Sequence, residues 1–263
     1  MAIHAITLAF ANEAILERSI EAFHTTRNPD LRIDRHVIVD QHYPLRYEVV
    51  RACLDRLAVR FPTIEIVDPG RNLGLHDGFN WALKALDPHD DDIVIGYDGD
   101  SLPIKPGWDM ALVRALSARR RDQLGSIVWS SLANPRTIAD IKLRGYDRVK
   151  VDGYLELWLT RTAITNSVCA WRVGWLRKVG WLQEPKAFYG HLESTMWGKL
   201  AGNRWAVIPD WPESDELRKL HDRLYVIYKW RHSHLSNWPG DFASFIDHYG
   251  DDGDDEAAPK ELP

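Results

Sequence analysis

An α/β fold with a mainly parallel sheet and helices on both faces is predicted by three features of this 263-residue chain. Strand and helix signals alternate through the first hundred residues, the order that builds parallel strands joined by crossover helices. The strand candidates are short apolar runs, such as His36-Val37-Ile38-Val39. The segments between them carry apolar residues at helical spacing.

Ile3 to Phe10 is apolar and β-branched and reads as the first strand. Glu13 to Phe23 places Ile15, Leu16, Ile20 and Phe23 on one helical stripe, with Asn12 suited to cap it. Arg35 to Asp40 is a second strand that closes on an acid, and Tyr47 to Phe61 is a helix with Val50, Cys53, Leu54 and Leu57 inward. Thr63 to Val67 is the third strand; Asp77 to Leu86 is a helix with Asp77 as its cap; Asp92 to Tyr97 is the fourth strand. Pro103, Pro106 and Gly107 then break the chain before a helix from Trp108 to Ala118. Further strands are expected at Ser126–Ser130, Tyr154–Thr160, Asn166–Trp171 and Trp205–Ile208. Helices are expected at Val173–Val179, His191–Leu200 and Asp222–His234, the last a carboxyl-terminal helical elaboration. Polar, irregular residues Asn134 to Asp152 read as a mobile loop or lid. No internal repeat or Gly/Ser linker divides the chain.

The bulk properties fit one large domain. Hydrophobic residues make up 45% and the net charge is −5, which argues against a nucleic-acid binder, normally basic. The basic run Arg114, Arg119, Arg120 and Arg121 reads as a solvated helix end. Two cysteines, Cys53 and Cys169, lie in apolar surroundings and are expected as reduced, buried thiols, consistent with a cytoplasmic protein. No apolar run approaches the ~20 residues that span a bilayer, and the first residues lack the charged region of a secretory signal. The acidic segment after Gly250 is expected to be a disordered tail. Twelve tryptophans, most at or after Trp129, imply a broad aromatic core, or else aromatic surfaces for a ring-shaped ligand.

The densest chemistry follows the fourth strand, in Tyr97-Asp98-Gly99-Asp100. Residues two apart on an extended chain point the same way, so both carboxylates would emerge together at the strand's carboxyl end. Such hard oxygen donors suit Mg²⁺ or Mn²⁺, and ligands of open α/β sheets collect at that edge. The pattern therefore reads as a metal–diphosphate clamp, or as a polar turn. Asp40 is likewise an acid at a strand end, a hydrogen-bond acceptor or a turn former. Gly74 would let a backbone pass close to a flat ligand, and Arg71 could meet a base, a phosphate or solvent.

Five segments in order resemble the family-2-like glycosyltransferases of the GT-A fold. They are Leu8-Ala9-Phe10-Ala11-Asn12-Glu13, Val37-Ile38-Val39-Asp40, Arg71 to Asn80 with its Asn-x-Gly and Gly-x-Asn, Asp98-Gly99-Asp100, and Phe188-Tyr189-Gly190-His191-Leu192-Glu193. The family's Glu-Asp pair reads Leu192-Glu193 here, which moves its carboxylate to a longer side chain. The resemblance implies a GT-A, Rossmann-like domain over residues 1–240, with a nucleotide-binding half at 1–105 and an acceptor half at 106–240. Residues 241–263 would form the tail. It implies donor contacts from Asn12, Asp40, Arg71, Asn72, Gly74 and Asp98, with Asp40 facing the base. Asp98 and Asp100 would hold Mn²⁺ or Mg²⁺, with His221 completing the shell, or else His232 or His234. Glu193 would be the general base of an inverting displacement from a nucleotide sugar, a UDP-sugar first among them. His191, Trp175, Trp181 and Trp197 are candidates to shape the acceptor pocket. The acceptor would be a glycan, a lipid-linked saccharide or a small molecule.

Two other functions fit parts of the pattern. An apolar strand followed by Asp-x-Asp also resembles haloacid-dehalogenase-type phosphatases, with Asp98 as nucleophile and Asp100 as acid/base. In those the motif follows the first strand, whereas here it follows the fourth. A non-catalytic binder of sugar nucleotides or glycans is the other.

Overall fold

The computed structural model describes residues 1–10, 13–42, 47–99, 101, 106–118, 126–129, 142–143, 145–151, 155–160, 168–179 and 205–208. The chain divides into Met1–Pro212 and Glu213–Pro263, and every described residue lies in the first unit. The helices expected at His191–Leu200 and Asp222–His234, and the acidic tail, lie outside the described residues.

Strands β1 (Ile3–Ala9), β2 (Arg35–Asp40), β3 (Ile64–Val67) and β4 (Ile93–Tyr97) alternate with helices α1 (Glu13–Thr26), α2 (Tyr47–Arg60) and α3 (Gly74–Leu86). After them come α4 (Trp108–Ala118), β5 (Ser126–Trp129), β6 (Asp147–Val151), β7 (Leu155–Thr160) and β8 (Val168–Arg172). Helix α5 (Val173–Val179) and strand β9 (Trp205–Ile208) complete the described elements. They form one sheet in the order β3-β2-β1-β4-β8-β5-β9-β7-β6. The first four strands are parallel throughout, whereas β8 enters antiparallel to both β4 and β5.

The continuous apolar strands are explained by two cores. Along β2, Val37 and Val39 face one core and Ile38 the other; Ala5 and Ile6 divide the same way on β1. One core takes Leu16, Ile20 and Phe23 of α1, Val50, Leu54 and Leu57 of α2, and Leu112 and Leu116 of α4. The opposite core takes Phe79, Ala82, Leu83 and Leu86 of α3 with Val173 and Leu176 of α5. Helices therefore cover both faces, as a parallel sheet requires. Gly96 serves this packing: a Cβ there would lie 2.5 Å from the Trp171 ring. Cys53 and Cys169 are both free and buried, and burial pushes the Cys53 thiol up to about 12.

The lid expected over Asn134–Asp152 needs correction at its end. Asp147–Val151 is strand β6, paired antiparallel with β7 at the edge of the described sheet. Its Asp147, Arg148 and Lys150 hide the strand signal, yet exposed charge is what an edge strand carries to resist further pairing.

An imidazole pair, His36 buried and His24 half-buried, ties β2 to α1. His36 Nε2 lies 3.0 Å from Thr7 Oγ1, and His36 Nδ1 lies 3.1 Å from His24 Nε2. Burial lowers the His24 pKa to about 3, with Arg27 opposing charge further, and burial likewise holds His36 well below the ordinary value of 6.5. Both rings are neutral in the fold, while the unfolded chain takes up their protons near pH 6.5. Between those limits the unfolded state binds more protons, so stability is intact above pH 6.5 and falls as the pH drops below it. The expected slope is ~1.4 kcal/mol per pH unit for each ring. Urea midpoints measured from about pH 7 down to about pH 5 should decline, and less steeply for His24→Phe; equal slopes would contradict this account.

Candidate active site at the carboxyl edge of the sheet

Because β1 to β4 run parallel, Ala9, Asp40, Val67 and Tyr97 end at one edge. The chain builds outward from β1 through β2 to β3, and then places β4 on the other flank of β1. This reversal puts the topological switch point between β1 and β4, the place where open α/β sheets take ligands.

Asp98 follows β4 directly and is exposed at this edge. Its carbonyl accepts from the Ser101 N–H at 3.1 Å and from the Ser19 hydroxyl at 3.3 Å. The Tyr97 hydroxyl lies 2.9 Å from the Ser19 carbonyl and 2.8 Å from that of Ser101. The turn is thus fastened to α1. Gly99 permits it: a Cβ there would be 2.9 Å from Leu16 Cδ1. Asp100 lies outside the described residues.

Asp40 is fully buried at the end of β2. One oxygen accepts from the His42 N–H at 3.0 Å; the other, Oδ2, is buried with no hydrogen-bond partner among the described residues. Burial raises its pKa, only partly offset by the His42 N–H, and the neighbouring Asp68 raises it further. Asp68, just past β3, is shifted the other way. Burial pushes it up, but the Gly70 N–H at 2.6 Å and the Tyr47 hydroxyl at 2.8 Å outweigh that and leave it lowered. His42, in a left-handed backbone with φ 47°, packs its ring against Tyr47 at a tilt of 38°, centroids 4.3 Å apart. The two neighbouring carboxylates are therefore tuned apart: Asp68 is satisfied, and Asp40 keeps an acceptor oxygen with no donor among the described residues.

An unsatisfied buried carboxylate costs stability. A raised acid pKa places its stabilising state at low pH, and the cost is present at neutral pH. Asp40→Asn is accordingly expected to raise the melting temperature at pH 7. If the free oxygen serves a ligand N–H, the same substitution should weaken ligand binding by roughly 10–100-fold, the worth of a hydrogen bond to a charged group. Thermal melts and calorimetry on one preparation check both, and a variant no more stable and no weaker in binding would contradict the assignment.

The loop Arg71–Gly74 leads into α3 at the same edge. Asn72 Oδ1 accepts from the Gly74 N–H at 2.8 Å, and Gly74 adopts φ 71°, a conformation that favours glycine. The Asn72 oxygen is thus engaged within its own turn. Arg71 is exposed. The cap expected at Asp77 is corrected: α3 begins a turn earlier, with Leu73 at its N-cap and no side-chain cap bond, and Asp77 lies in the first turn. Gln41, which sequence reasoning passed over, is buried here, accepting from the Leu73 N–H and donating to the Gly74 carbonyl, each at 2.8 Å. Asp68 was also passed over. A strand-end acid would have been its only signal.

Of the residues expected at the site, Asp40, Arg71, Asn72, Gly74 and Asp98 stand along this edge. Asn12, Asp100, Glu193 and His221 lie outside the described residues, as do His191, His232, His234, Trp181 and Trp197. Trp175, on α5, packs against the second core. Among the described residues no group of three His, Cys, Asp or Glu side chains could hold a metal. The exposed Asp98 carboxylate is the described donor, and its hard oxygens fit Mg²⁺ or Mn²⁺ chemistry. A cavity of about 500 Å³ runs from Arg71 and Leu73 of this loop along α3, past Trp81 and Lys84, to Arg177 of α5; neither Asp40 nor Asp98 lines it. No described helix is long and apolar enough to cross a membrane.

No protein-family model matches the chain, and no curated protein matches its sequence. Its fold is similar to solved structures. The mannosyltransferase PcManGT from Pyrobaculum calidifontis, in complex with GDP-Man and Mn²⁺, superposes with a TM-score of 0.58 at 16% identity, over 93% of this chain and 66% of that one. GalNAc-T7 with UDP, GalNAc and Mn²⁺ gives 0.60 at 11% identity, over 95% of this chain and 54% of that one. S. aureus TarS, residues 1–349, gives 0.54 at 15% identity, over 93% and 68%. The chain thus spans two-thirds or less of the length of the first two. The sheet order, the helices on both faces and these superpositions together establish that the chain has a GT-A glycosyltransferase fold.

Proposed function

We propose that this chain is a metal-dependent glycosyltransferase that moves a sugar from a nucleotide-sugar donor to an acceptor hydroxyl. The observation that carries the reading is the unpartnered, buried Asp40 Oδ2 on the same sheet edge as the exposed Asp98. An acceptor held ready at one strand end and a hard anionic donor across β1 suit the two ends of a nucleoside diphosphate. Support also comes from the solved structures that share the fold, of which two were determined with Mn²⁺ and with GDP-Man, or with UDP and GalNAc.

In this reading Asp40 accepts an N–H from the base. Arg71 to Gly74 border the nucleotide, with Asn72 acting through the turn it holds, and Asn12 is a further donor contact. Asp98 and Asp100 hold Mn²⁺ or Mg²⁺, whose charge offsets that of the departing diphosphate. Glu193 takes the acceptor's proton as the hydroxyl attacks the anomeric carbon from the far side, inverting its configuration. A UDP-sugar is the first donor to test. The acceptor is a glycan, a lipid-linked saccharide or a small molecule, and the two buried thiols suit a cytoplasmic site of action.

A panel of UDP-, GDP- and dTDP-sugars, each with and without Mn²⁺, tests this by the release of nucleoside diphosphate. Metal-dependent release with one donor is expected. Release of inorganic phosphate from phosphomonoesters would instead favour a phosphatase, and binding without turnover, a non-catalytic binder.

A further inference from the structure

We propose that Gln41 is a positioning residue for the nucleotide donor, its buried carboxamide locking the Arg71–Gly74 loop to the end of β2 so that Asp40 and this loop face the ligand as one rigid surface. The inference rests on the donor-binding reading above.

Gln41 is 3% exposed. Its backbone N–H donates to the Ala9 carbonyl at 2.7 Å, which continues the β1–β2 pairing one residue past the strand. From that fixed point the side chain crosses to a loop more than thirty positions away. Its Oε1 accepts from the Leu73 N–H and its Nε2 donates to the Gly74 carbonyl, both at 2.8 Å. Leu73 is the N-cap of α3, where backbone N–H groups lack helical partners and no side-chain cap bond forms. Gln41 supplies a partner from outside the helix. The helix in turn makes room: a Cβ on Gly78 would stand 2.3 Å from Gln41 Nε2. One carboxamide is therefore held between the neighbour of Asp40 and the first turn of α3. A ligand that touches both Asp40 and the loop needs their spacing fixed, and a loop that is ordered before binding costs less to engage.

The chemistry gives a specific test. Gln41→Glu keeps the acceptor for Leu73, but when ionised it has no proton to give Gly74 and sets a negative charge against that carbonyl. When protonated, the introduced carboxyl donates to Gly74 and accepts from Leu73, which restores both bonds. Donor KM and kcat are measured for the wild type, Gln41→Glu and Gln41→Met from about pH 5.5 to about pH 8.5, a range that brackets raised carboxyl pKa values. The KM of Gln41→Glu is expected to exceed that of the wild type roughly tenfold at the alkaline end and to approach it at the acid end, with kcat at saturation little changed. Gln41→Met should show a raised KM at every pH. A ratio of Gln41→Glu to wild-type KM that does not move with pH, or a wild-type KM in Gln41→Met, would overturn the proposal.

Hydrogen exchange on the wild type needs no variant to fold. The Leu73 amide is expected to be as well protected without ligand as the interior of α3, and exchange at the rate of an open loop would also overturn the lock. The two readings separate cleanly. A wild type that binds no nucleotide with Mn²⁺ removes the donor-binding reading, whereas a wild type that binds, with variants that bind equally well, removes only the role of Gln41.

Discussion

Replacing Glu193 with glutamine is expected to lower transfer about 10²–10⁴-fold while donor and Mn²⁺ binding stay as in the wild type. That range is what a positioned general base contributes. Glutamine keeps the size of the side chain and can still hydrogen-bond the acceptor hydroxyl, but it cannot take the proton. Binding and chemistry should therefore separate. The assignment comes from the resemblance carried by Phe188 to Glu193, a segment outside the described residues. Because a Glu stands where the family carries the shorter Asp, Glu193→Asp is a useful companion, and partial activity in it would show that the position tolerates either reach. Single-turnover measurements with saturating donor report the chemical step; a near-wild-type rate in Glu193→Gln would move the base elsewhere.

The second large effect concerns the acids after β4. A variant with both Asp98→Ala and Asp100→Ala is expected to lose the metal-dependent part of donor binding, about a 100-fold weakening or more, equivalent to ~3 kcal/mol. Affinity measured without metal should hardly change, since Asp40 and the Arg71–Gly74 loop remain. The bonds that fasten the turn to Ser19 and Ser101 use the Asp98 carbonyl oxygen and do not depend on its carboxylate. Calorimetry with and without Mn²⁺ separates the two contributions. Equal loss in both conditions would point to general damage at the edge rather than to a lost cation site.

Much of the fold was legible because its signals are local. The runs that became β2, β4 and β9, and the stripes that became α2, α4 and α5, depend on apolar residues close in sequence, and α4, α5 and β9 match their expected limits. β6 was hidden because its charges serve an edge. The start of α3 was misjudged because Asp77 is a good capping residue by type. The turn is instead set by Asn72, Gly74 and Gln41, and no local rule reveals a side chain reaching from residue 41 to residue 73. The site divides the same way. Asp40 and Asp98 were visible as acids at strand ends. Which of the two would be exposed and which buried with a free oxygen depends on the register of neighbouring strands and on Asp68. That information exists only once β2 and β3 lie side by side.

The central claim is that a divalent cation and a nucleoside diphosphate meet at the carboxyl edge of β4, with the base toward Asp40. Crystals grown with Mn²⁺ and the preferred nucleoside diphosphate, recorded at a wavelength where manganese scatters anomalously, test it most directly. The account predicts one anomalous peak in bonding contact with the acids after β4 and with the diphosphate, and a base N–H on Asp40 Oδ2. A diphosphate bound away from that edge, or one seated there with no manganese beside it, would contradict the account.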